Sequence, residues 1–131
     1  MKINFFAVLT AAISSFVLGG LWYSVLFKTA WMKVNEFNDS YLKKGNPAVI
    51  FGLSFLLMLI MAANLAAFIG GEQASLTWGM TAGGLAGFGW VALALTVTAM
   101  FERRSFRYVL INGAYWIVAF IIMGGIVGAW R

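Results

Sequence analysis

The chain has 131 residues, 63% of them hydrophobic, and nine basic against four acidic residues give it a net charge of +5. With neither cysteine nor histidine, it can form no disulfide or thiolate site, and it lacks the usual general base and the commonest metal ligand. A mean hydropathy of +0.91 sets it far from soluble domains, whose apolar content is roughly 45–50%.

Every charged side chain falls outside four uncharged runs, Ile3–Phe27, Gly45–Gly71, Gln73–Phe101 and Tyr108–Trp130. A hydrocarbon core about 30 Å thick needs roughly 20 apolar residues at 1.5 Å per residue. An ionised group at its centre costs several kcal/mol. The sequence therefore predicts an all-α polytopic membrane protein forming one domain, with spans at about 3–27, 47–71, 77–101 and 108–130.

In the first run, Lys2 followed by Ile3–Leu18 resembles a signal peptide, with Val17 and Gly19 as small residues for cleavage. The run nevertheless continues to Phe27 and ends in aromatic residues and Lys28, which points to a retained span. Ala11, Ser15 and Gly19 make a line of small residues along it, and Ser14 lies beside them near mid-span.

The segment from Lys28 to Asn46 is the one long connection. Trp31, Val34, Phe37 and Tyr41 recur at helical spacing, and Asn38 can cap a helix that ends before Gly45. This predicts one or two short helices lying in the membrane interface. Pro47 suits the first turn of the second span, where its missing N–H has no partner to lose.

Both this segment and the turn after the third span are basic. Lys28, Lys33, Lys43, Lys44, Arg103, Arg104 and Arg107 share one side, against Lys2, Arg131 and the acidic Glu72 on the other. The positive-inside rule then places both basic loops in the cytoplasm and both termini outside. Lys28, Lys43, Lys44, Arg103, Arg104 and Arg107 are expected to contact anionic lipid head groups; basic residues confined to span ends argue against nucleic acid. Trp22, Tyr23, Trp31, Trp78, Tyr108 and Trp130 lie near span ends and read as an interfacial aromatic belt.

The third run carries Gly79, Gly83 and Gly87 in steps of four, and the fourth carries Gly124 and Gly128. Lipid tails are as apolar as leucine, so spans associate by close packing that small residues permit. These glycines, with Ser15 and Gly19, are expected to form packing seams within the chain or between copies. Thr96 and Thr98, like the serines, can bond back to their own helix. The amides of Asn64 and Asn112 need partners, either as interhelical glue or in contact with a ligand. Trp90, Tyr115 and Trp116 lie too deep for the belt, and Asn112 shares a helix face with the last two. An aromatic and amide pocket is therefore expected where spans three and four meet, unless these rings only fill space.

Taken together, Gly20-Leu21-Trp22-Tyr23-Ser24, Lys28-Thr29-Ala30-Trp31-Met32, Lys44-Gly45-Asn46-Pro47, Phe101-Glu102-Arg103-Arg104 and Ile111-Asn112-Gly113-Ala114-Tyr115 resemble the domain of unknown function 1761. Members of that family are small four-span bacterial membrane proteins. Its first string commonly continues with proline, where this chain has Val25, so no proline kink carries over. The resemblance implies a four-helix membrane fold in a bacterium and brings no activity with it; the inner membrane is the expected location.

Glu36, Asp39, Glu72 and Glu102 are the only carboxylates. By the topology above Glu72 and Glu102 lie on opposite sides, so they make no acid/base pair. No enzyme activity, metal or cofactor is expected. The leading expectation is a self-associating helix bundle that binds lipid or a small molecule. A small oligomeric transporter or channel without a proton-coupling carboxylate is the alternative.

Overall fold

The structure, a computed structural model, describes residues 3–130. The expectations resting on Lys2 and Arg131 lie outside the described residues. Four helices are long and apolar enough to cross a bilayer, Phe5–Leu26, Pro47–Ile69, Leu76–Phe101 and Phe106–Ala129, here spans one to four. The described residues contain no strand.

Side-chain caps set where each span begins. A helix start leaves backbone donors without partners, which is costly close to lipid. Asn4 accepts from the Phe6 and Ala7 N–H groups at 3.0 and 3.2 Å, which starts span one at Phe5. Asn46 does the same for Ala48 at 3.1 Å, with Pro47 in the first turn. Ser75 and Ser105 accept from Trp78 and Tyr108 at 3.0 and 3.3 Å. Span four thus begins at Phe106, two residues before the boundary expected from hydropathy, because a serine is available there.

Between spans one and two lie two short helices, Lys28–Asn35 and Asp39–Lys43. Glu36 closes the first in the left-handed conformation at φ 57°. Asn38 opens the second, accepting from Tyr41 at 2.7 Å. Their aromatic side forms one row of rings, Trp31 meeting Phe37 edge-on at 5.3 Å and Phe37 stacking on Tyr41 at 4.5 Å.

Span four is the hub. It is 44% buried along its most apolar window, against 17% for span two, and it packs against each of the other three spans. Its most extensive contact is with span three, and glycines explain why. A Cβ on Gly79 would fall on the carbonyl of Gly124, and one on Gly83 on the carbonyl of Phe120. A Cβ on Gly128 would lie 2.8 Å from the Gly79 Cα. The two backbones touch, so van der Waals contact runs the length of the seam. Gly79, Gly83, Gly87, Gly124 and Gly128 are thereby used within the chain. The small line on span one packs elsewhere. Ala11 and Ser15 are fully buried, and span one packs against spans four and two, with no substantial contact to span three among the described residues.

Two stretches widen to a π-helix, Trp22–Leu26 in span one and Gly87–Ala92 in span three. In span three the extra residue keeps small side chains inward, since Gly83, Gly87 and Ala92 are all buried although the last step is five. In span one the widening occurs without proline, at the string where Val25 stands.

Spans two and three associate only loosely. Trp78 pins them at their connecting turn, its indole N–H donating to the Ile69 carbonyl at 3.1 Å. This satisfies an end-of-helix acceptor. Beyond that pin span three follows span four, span two follows span one, and a gap opens between them.

Candidate functional site

The residues expected to form one pocket divide between two places. Asn112 and Tyr115 face span one. The Tyr23 hydroxyl donates to the Asn112 side-chain oxygen at 2.7 Å, and the Asn112 amide donates to the Tyr108 carbonyl at 3.1 Å. Tyr115, only 3% exposed, donates to the Ser15 carbonyl at 2.8 Å, with the Ser15 hydroxyl 3.5 Å away. Its approach depends on Gly19, where a Cβ would lie 3.1 Å from the phenol oxygen. The Trp22 indole donates to the Ile111 carbonyl at 3.0 Å.

This cluster corrects two expectations. Trp22 and Tyr23 are not belt residues, because their polar atoms turn inward and bond span four. The amide and phenol do not face span three; at their level it is Gly113 that lies against Ala92 of that span. Every polar group of the cluster has its partner, so it is a lock between spans one and four.

Aromatic contacts extend the lock to the membrane surface. Trp116–Tyr115, Tyr115–Tyr23 and Tyr23–Trp31 centroids lie 4.9, 5.3 and 5.3 Å apart. From Trp31 the row of rings continues through Phe37 to Tyr41, so rings hold the two short helices to the bundle. Nothing in the local spacing signalled these long-range contacts.

Trp90 belongs to the second place, the gap between spans two and three. It is 66% exposed, and its ring meets Phe68 of span two edge-on at 5.9 Å and 76°. The π-helical turn at Gly87–Ala92 keeps the small residues on span four while Trp90 faces away from it. With Met61, Asn64, Leu65, Ala86 and Phe120 these rings line a cleft of about 320 Å³. Span four supplies its floor through Phe120.

Asn64 is the one side-chain amide in span two. It lies five residues before the end of the helix at Ile69, about 7–8 Å along the axis. Among the described residues neither its amide nor the Trp90 indole N–H has a hydrogen-bond partner. Asn64, like Trp90, is exposed, so its amide meets whatever fills the cleft. No charged residue lines the cleft.

A second hollow of about 360 Å³, between Leu76, Met80, Ile122 and Ile126, has no polar lining. On the basic side, Arg104 pairs with Glu102 at 3.3 Å and lies over the Tyr108 ring at 5.1 Å. Lys28, Lys43, Lys44, Arg103 and Arg107 are all exposed there.

A family model described as "Protein of unknown function (DUF1761)" matches residues 6–128. The chain belongs to this family. No curated protein and no solved structure matches the chain. Membership brings no chemistry of its own, so any functional reading of this family member rests on the cleft and the lock.

Proposed function

We propose that this protein is a non-enzymatic module of the bacterial inner membrane that binds a lipid or a lipid-soluble small molecule in the cleft between spans two and three. The single observation carrying this is the unpaired Asn64 amide beside the exposed Trp90 in an otherwise apolar recess. Ligand sites combine apolar walls with a few polar groups that fix orientation, and their volumes begin near 300 Å³. The cleft meets both conditions. It opens sideways between two spans, so a ligand enters from the bilayer, and that geometry supports binding more directly than conduction. The exposed lysines and arginines of the two loops favour a cytoplasmic placement against anionic lipid.

A photo-crosslinking side chain in place of Phe68, activated in native membranes, tests the reading. Adducts of lipid or small-molecule mass support it, and absence of any adduct removes it. Adducts with a second copy of the chain support a second reading, self-association through the open side of the bundle. The same amide favours that one, because two Asn64 side chains can bond each other across a twofold axis.

A further inference from the structure

The cleft's polar groups are unbalanced, and the imbalance defines a ligand class. An asparagine side chain brings two N–H donors and one carbonyl acceptor, and an indole brings one donor and no acceptor. The unpaired set formed by Asn64 and Trp90 therefore holds three N–H donors against the two lone pairs of one carbonyl oxygen. A ligand rich in acceptors satisfies it; an alcohol or amine satisfies it less well. The lining has no charge, so an ionic head group would enter without a counter-charge, at high cost in this medium. Phe68 and Trp90 meet edge-to-face and present flat apolar walls, which suit a planar group. The volume of about 320 Å³ holds a compact head, and the sideways opening lets an attached chain run out among the lipids.

We infer that the occupant is a neutral, lipid-soluble carbonyl compound, whose carbonyl oxygen accepts from the Asn64 amide and the Trp90 indole. Its apolar body lies over Leu65, Ala86 and Phe120. This rests on the cleft being a ligand site, as proposed above. Two membrane sources share the chemistry, a ring ketone such as a quinone head and the ester carbonyls of an uncharged glycerolipid.

The test uses the full chain in phosphatidylcholine nanodiscs, titrated with decyl-benzoquinone, with dioleoylglycerol and with dodecanol, and read by native mass spectrometry as molecules retained per chain. One carbonyl probe should be retained saturably at one per chain, and competition between the two identifies the source. Asn64→Leu and Trp90→Phe should each weaken retention about three- to tenfold, the effect of one lost hydrogen bond. Both variants keep the apolar surface, and equal melting temperatures will show that they fold. Retention of neither carbonyl probe above the Asn64→Leu level overturns the inference, as does dodecanol bound equally well. If the Phe68 crosslinker still captures bilayer molecules in that case, the cleft remains a binding site and only the ligand class is wrong.

Discussion

Tyr115 reaches 100 residues back along the chain to donate to the backbone carbonyl of Ser15 at 2.8 Å, with the Ser15 hydroxyl at a longer 3.5 Å. The acceptor is therefore independent of residue type at position 15, while the donor is not. Tyr115→Phe should cost about 0.6–1.7 kcal/mol of bundle stability, the range for interhelical bonds in membranes. Ser15→Ala should cost less than half of that. Unfolding measured in bicelles by steric trapping compares the two, and a larger loss in Ser15→Ala would reverse the assignment.

The Tyr23–Asn112 bond at 2.7 Å is expected to couple spans one and four. A double-mutant cycle with Tyr23→Phe and Asn112→Leu should return about 1 kcal/mol of interaction energy. Additive effects within a few tenths of a kcal/mol would mean that the bond contributes nothing beyond ring packing.

Glycines along span three predict opposite outcomes from the same substitution. Gly83→Ala places a Cβ on the Phe120 carbonyl, and overpacking of this kind costs about 1–3 kcal/mol or more. Gly89 has open space around its missing Cβ. Gly89→Ala should be neutral or should stabilise by up to about 1 kcal/mol, as alanine does in a helix interior. Thermal aggregation of the detergent-solubilised variants checks both signs.

Two turns on the basic side carry side chains in left-handed conformations, Glu36 at φ 57° and Arg103 at φ 60°. That region costs roughly 1–2 kcal/mol for residues other than glycine. Glu36→Gly and Arg103→Gly should each raise the melting temperature, provided the charges removed contribute little there. A fall in either would show that the side chain holds its turn through lipid contact.

The four spans and the short helices were legible because charge exclusion and cap residues are local signals. Asn38 and Pro47 announced their positions directly. The pairing of faces was not legible. Steps of four identified a groove on span three, but nothing in its sequence said whether span one or span four would fill it. The π-helical turn at Gly87–Ala92 changed the direction of Trp90 by inserting a residue into the helical period, and an α-helical projection cannot show that. For Asn112 and Asn64 the sequence signal was identical, an amide in a span. Only the packing separates one that is satisfied from one that is bare.

Because span four touches all the others while span three has little hold on spans one and two, the order of synthesis matters. As the ribosome delivers the chain, spans one and two can pair at once, but span three enters the bilayer with its glycine groove uncovered. It waits there until the final helix emerges to fill that groove. Nascent chains stalled before Phe106 would then be the natural substrates of membrane quality control.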